Sequence, residues 1–131
     1  MTDSPKDIWF IDDDELFRAV VEKFVSGSAY SDRIKLFSDG DEALMELMQR
    51  KGSSALPKLI FLDLNMTNLG GWQMLDLLNQ IREFSAKVII VSSSQKPEDI
   101  QRAKDEPLVV DHVTKPLSKA YLERLIKDWA S

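Results

Sequence analysis

The chain has 131 residues, 44% of them hydrophobic and 30% charged, and a formal net charge of −5. That length and balance suit one compact globular domain. With no cysteine, disulfides and thiolate metal sites are excluded, and with acids and bases interspersed and no basic patch, a nucleic-acid surface is not expected.

The polar start MTDSPKD carries no secretory pattern, and the apolar runs are far shorter than a membrane span, so a cytoplasmic protein without membrane association is expected.

In chain order, the first apolar run is Ile8-Trp9-Phe10-Ile11, short enough to be a strand. A stripe at helical spacing follows in Leu16, Val20, Val21 and Phe24, with Gly27 as a stop. Ile34-Lys35-Leu36-Phe37 reads as a second strand. Ser38 then caps a helix carrying Ala43, Leu44, Leu47 and Met48, which Gly52 ends, and KGSSALP at 51–57 is a loop. The third strand is Leu59-Ile60-Phe61-Leu62, and a helix from about Gly71 to Phe84 carries Leu75, Leu78 and Ile81. Val88-Ile89-Ile90-Val91 is the fourth strand. Pro97 opens a fourth helix, poor in apolar residues beyond Ile100 and Ala103. Val109 to Val113 forms the fifth strand, and Ser118 to about Trp129 the last helix, with Leu122, Leu125, Ile126 and Trp129 on its stripe.

Five strand–helix repeats imply an α/β fold, a doubly wound parallel sheet with helices on both faces. The continuously apolar first, third and fourth strands are expected at the centre, the second and fifth at the flanks. Ligands of such sheets bind beyond the carboxyl ends of the strands. The strand ends hold Asp12-Asp13-Asp14, Asp63, Ser92-Ser93-Ser94 and Thr114-Lys115-Pro116. Crowded carboxylates repel, by about 4 kcal/mol per pair at roughly 4 Å and an effective dielectric near 20. A divalent cation relieves that repulsion, and an all-oxygen donor set favours Mg²⁺ or Mn²⁺. Asp63, in LIFLDLNM, is the candidate nucleophile, with Lys115 and Ser92 placed to serve phosphate oxygens.

At these residues the chain resembles the receiver domains of two-component response regulators. The matching stretches are IDDDELFR, LDLNM with Gly71, VSSS and TKPL, each at a successive strand end. The resemblance covers essentially the whole chain. It implies a flavodoxin-like strand order 2-1-3-4-5 and a single receiver domain over 1–131 with no output domain.

It also implies that Asp63 accepts a phosphoryl group from a histidine kinase or a histidine phosphotransfer protein. Asp13, Asp63 and the backbone carbonyl of Asn65 would ligate Mg²⁺, with Asp12 acting through water. Ser92 and Lys115 would contact the phosphoryl group, and Ser92 and His112 would carry the switch. The Lys115–Pro116 bond would be cis. The output would be a changed surface for a downstream protein, by a monomer or a phosphorylation-linked dimer, or onward transfer of the phosphate.

Three positions depart from the family pattern. Thr67 replaces a usual proline, Ser93 a frequent alanine, and His112 the usual switching aromatic. Asn65 and Ser94 supply no base to activate water, so a long-lived phosphorylated state is expected.

Each residue also has a plainer reading. Asp14 can be a helix cap, Ser92 can cap the fourth helix, Lys115 can be a surface lysine, and His112 can be a spectator. Two other functions compete with the switch. One is a phosphate-independent binding module. The other is a small aspartate-nucleophile phosphatase, although Asn65 stands where such an enzyme needs a second acid.

Overall fold

A computed structural model describes residues 6–50, 56–81, 84–93 and 95–130. The expected stop at Gly52, most of the 51–57 loop and Ser94 lie outside them. The strands are β1 (Ile8–Ile11), β2 (Ile34–Phe37), β3 (Leu59–Leu62), β4 (Lys87–Ser92) and β5 (Val109–Thr114). The helices are α1 (Glu15–Val25), α2 (Gly40–Gln49), α3 (Gly71–Asn79), α4 (Pro97–Asp105) and α5 (Lys119–Ala130). All strand pairs are parallel, in the order β2-β1-β3-β4-β5, as expected. β1, β3 and β4 are central, and their apolar runs are buried on both faces. Among the described residues no helix is long and apolar enough to cross a membrane.

The alternation of each strand splits the core in two. Ile8, Phe10, Phe61, Ile89 and Val91 face α1 and α5, meeting Phe17, Val21, Leu122 and Ile126. Phe10 and Phe61 stack there with ring centroids 4.3 Å apart. Trp9, Ile11, Ile60, Leu62 and Ile90 face α2, α3 and α4, meeting Leu47, Met74, Leu75 and Ala103.

Several sequence expectations shift when side chains are placed. In α1 the buried stripe is Phe17, Val21 and Val25, while Leu16 is 73% exposed. Asp14 caps this helix, its Oδ1 accepting from the N–H groups of Leu16 (3.0 Å) and Phe17 (3.3 Å). The α2 cap is Asp39 and not Ser38; its Oδ1 accepts from Asp41 N–H at 2.8 Å, and its carboxylate faces the positive end of the helix. Met48, expected inside, is exposed. α3 stops at Asn79, short of Phe84, because its last bonds tighten from Gln80 N–H to Leu77 O and from Ile81 N–H to Leu78 O, both 3.1 Å. Ile81 and Phe84 still reach the core from that turn. In α5, Ala130 is buried and Trp129 half-exposed.

α4 is attached differently from the others. Among its residues only Ala103 is buried. Polar contacts with α3 supplement that one. Arg102 lies 4.6 Å from the Trp72 ring and 3.3 Å from Asp76 Oδ1, and Trp72 Nε1–H donates to Asp99 Oδ1 at 3.1 Å.

Gly71 opens α3 where its backbone presses on the end of β3. A Cβ at Gly71 would lie 2.5 Å from Asp63 O and 2.7 Å from Leu64 Cα, both backbone atoms that cannot swing aside. Gly71→Ala is therefore expected to cost about 2 kcal/mol or more and to lower Tm by roughly 5–10 °C. An unchanged thermal midpoint would show that the β3–α3 junction yields freely.

Candidate functional site

Strand register brings the acids together. Ile11 pairs with Leu62, so the next residues, Asp12 and Asp63, leave the sheet side by side. Asp63 N–H still donates to Ile11 O, and Asp12 N–H to Phe37 O, each at 3.0 Å. The ladder thus runs into the site, and both carboxyls are sunk, Asp12 at 2% exposure and Asp63 at 5%. Across β4 and β5, Ser92 pairs with Thr114, and Lys115 N–H donates to Ser92 O at 3.0 Å. The Lys115–Pro116 bond is cis, as expected.

One oxygen each from Asp12, Asp13 and Asp63 lies within 4.8 Å of the other two. Lys115 Nζ sits 2.7 Å from Asp12 Oδ2 and 4.0 Å from Asp63 Oδ2. Its ammonium is also 4.5 Å from the centre of the Phe17 ring. Asn65 N–H donates to Asp63 Oδ1, and Asn65 Nδ2–H to Ser92 Oγ, both at 3.3 Å. Asp12, Asp13, Asp63, Asn65, Ser92 and Lys115 therefore share one crevice. Asp14 serves as the helix cap on its rim.

Ser92 is fully buried at the end of β4 and is not the cap of α4, which begins five residues later at Pro97. His112 stands apart, paired with Ile90 on the face covered by α4. It lines a cleft of about 390 Å³ with Ile100, Ala103 and Lys104, and its buried Nε2 has no hydrogen-bond partner among the described residues.

Burial first, and then the Asp12 carboxylate, push the Asp63 carboxyl up from an ordinary 3.8 to about 6, against the pull of Lys115 and of the Asn65 amide. A single ammonium does not balance the cluster. The donor set fits a hard divalent cation. Three carboxylate oxygens converge, and Asp12 Oδ2 is buried without a well-aligned hydrogen-bond donor among the described residues, its ion pair with Lys115 notwithstanding.

Two contacts at the site could not be read from the sequence pattern. Thr67 N–H donates to Asp13 Oδ2 at 3.1 Å, and Arg18 Nη1–H to Asp12 O at 2.8 Å. Phe17, beneath the lysine, lies beside the stripe expected through Leu16 and not on it. Leu16 instead borders an apolar cleft of about 400 Å³ with Val20, Pro116 and Leu117, open to Lys115 and Ser93.

Residues 8–127 match the family model described as the response regulator receiver domain. Over 120 residues the chain is 31% identical to the nitrate/nitrite response regulator protein NarL of Escherichia coli (strain K12), with 88% of this chain and 53% of that protein covered. It thus spans about half of NarL's length. It is 24% identical over 128 residues to the probable methanogenesis regulatory protein FilR2 of Methanothrix harundinacea (strain 6Ac), with 96% and 82% covered. A solved two-component response regulator from Cytophaga hutchinsonii superposes with a TM-score of 0.77 at 25% identity, with 92% of this chain and 93% of that one covered.

The raised Asp63 carboxyl sets a pH dependence. In metal-free protein its folded-state value lies above its unfolded value, so its contribution to stability is complete below about pH 4 and is lost as pH rises through about 6. In EDTA, Asp63→Asn is expected to be more stable than wild type at pH 7–8 by on the order of 2–3 kcal/mol. The gap should close by about pH 4. Urea unfolding across that range measures it, and equal stability at pH 8 would mean the carboxylate is comfortably ionised.

Proposed function

Because the chain belongs to the response regulator receiver domain family, we propose that it is a signalling switch that takes a phosphoryl group onto Asp63. The observation that carries this reading is the meeting of Asp12, Asp13 and Asp63 beside Lys115 in one buried crevice. The donor is a phosphohistidine on a histidine kinase or histidine phosphotransfer protein. The N–P bond of the donor breaks as a bond forms from an Asp63 oxygen to phosphorus, and the departing imidazole nitrogen is left to take up a proton. The reaction is stoichiometric transfer to the protein itself and not turnover of a small substrate.

Each neighbour has a task. Asp13, Asp63 and the backbone carbonyl of Asn65 would hold Mg²⁺, with Mn²⁺ an acceptable substitute, and Asp12 would act through a water. When bound, the cation supplies positive charge that offsets the acids and the incoming phosphoryl oxygens. Lys115, already 4.0 Å from Asp63 Oδ2, moves its charge from Asp12 to a phosphoryl oxygen. The Ser92 hydroxyl donates to another. Burial of Asp63 keeps bulk water from competing for the phosphorus.

The added group brings about two negative charges and strong acceptors. Ser92 and Lys115 flank the ends of β4 and β5, and His112 is three residues before Lys115 on β5. A shift at the strand ends passes along β5 to His112 and the cleft it shares with α4. That face presents the two states to a downstream protein.

Acetyl phosphate or phosphoramidate with Mg²⁺ should add one phosphoryl group to wild type and none to Asp63→Asn, read by intact-protein mass spectrometry. Labelling that persists in Asp63→Asn, or fails with every donor, would favour a phosphate-independent binding module.

A protein donor also needs a footing beside the crevice, and Leu16 offers one, since it is 73% exposed at the edge of the apolar cleft. Leu16→Glu should slow transfer from a phosphohistidine protein by about tenfold or more, while labelling by acetyl phosphate stays at the wild-type rate. Equal slowing with both donors would place the defect in the chemistry.

A further inference from the structure

Each acid of the cluster is held by one backbone amide. Asp14 N–H donates to Asp12 Oδ1 at 2.9 Å, and Asn65 N–H to Asp63 Oδ1 at 3.3 Å. Both are local, spanning two residues. The third is different: Thr67 N–H reaches Asp13 Oδ2 at 3.1 Å across 54 positions of sequence.

We propose that the Thr67 amide is a positioning group that holds Asp13 in its cation-ready orientation before any cation arrives. The proposal rests on the metal reading of the acid cluster.

The physical case starts from repulsion. Asp12 and Asp63 are buried, but Asp13 is only half-buried and has a path to water. Without a cation, its two neighbours push its carboxylate toward solvent. An amide donor on Oδ2 opposes that push and leaves Oδ1 uncommitted.

The donor is itself fixed. The loop carrying Thr67 is tied on one side by Asn68 Nδ2–H to Asp39 Oδ2 at 3.2 Å, and on the other by Gly71 N–H to Leu64 O at 3.1 Å. Asp13 is therefore held by the loop that follows Asp63, and the first and third strand ends are joined by a contact that needs no side chain from residue 67. Any residue there serves, except proline, which has no N–H.

The test separates amide from side chain. Mg²⁺ is titrated into wild type, Thr67→Ala and Thr67→Pro, with NMR amide shifts as the readout. Thr67→Ala should bind as wild type does, and Thr67→Pro more weakly by about tenfold or more, the effect of losing one hydrogen bond to a charged group. Thr67→Pro with wild-type affinity, or Thr67→Ala as weak as Thr67→Pro, overturns the proposal.

A second measurement stands even if Thr67→Pro fails to fold. In EDTA, hydrogen exchange at the residue 67 amide should be slow in wild type and Thr67→Ala and at least about tenfold faster in Asp13→Ala. Exchange in wild type as fast as in Asp13→Ala sinks the contact. If wild type shows no Mg²⁺ shift at all, the metal reading fails and takes the affinity effect with it, while the exchange result still decides the tether.

Discussion

The site depends on like charges forced together by strand register. Parallel pairing of β1 with β3 sets Ile11 against Leu62, and each strand ends one residue before an acid. Backbone hydrogen bonds fix that spacing, so the carboxylates of Asp12 and Asp63 cannot relieve their repulsion by sliding. What remains is to balance charge. Lys115 does so in part, at 2.7 Å from Asp12. The Asp63 carboxyl takes up the rest by holding its proton up to about pH 6. A buried acid with that history is well suited to a ligand that brings positive charge, and the proposed chemistry uses that property.

The same crowding explains the surrounding polar contacts. Three backbone amides point at three carboxylates, and charge-assisted bonds of this kind are stronger than neutral ones. Phe17 gives the lysine an aromatic face, which holds the ammonium near the acids without adding another negative charge. The groups are arranged in advance, so less reorganisation would accompany the proposed arrival of a phosphoryl group.

Much of this was legible in the sequence, for definable reasons. Short apolar runs ending in acids, hydroxyls and a Lys-Pro pair marked both strands and crevice, because parallel strands buried on two faces leave little freedom in their composition. Asp12, Asp13, Asp63, Ser92 and Lys115 follow from that pattern, Asn65 came from the family resemblance, and the structure brings all six together. Helix faces were harder. Leu16 and Phe17 are both apolar and adjacent, and the inward face is the one on which Phe17 lines up with Val21 and Val25 against the sheet. Ser38 and Asp39 are both good caps, and one step separates them. The end of α3 was overrun because Ile81 and Phe84 keep contacting the core after the helix has stopped. The Thr67 contact comes from a main-chain amide that every residue but proline carries; the departure from the family's usual proline marked the position, but the amide's partner needed the fold. His112 joined the expected set by analogy, and its placement on the α4 face, away from the acids, required the β5 register.

The attachment of α4 has a mechanical consequence. Four helices are seated by two or more buried side chains each, whereas α4 contributes Ala103 alone. Exposed ion pairs of the sort Arg102 makes are worth about 0–1 kcal/mol each, against several for dislodging a packed hydrophobic face. Among the five, α4 is thus the helix that can slide or tilt at least expense while the two hydrophobic layers stay shut, which gives the molecule a compliant side built onto a stiff frame.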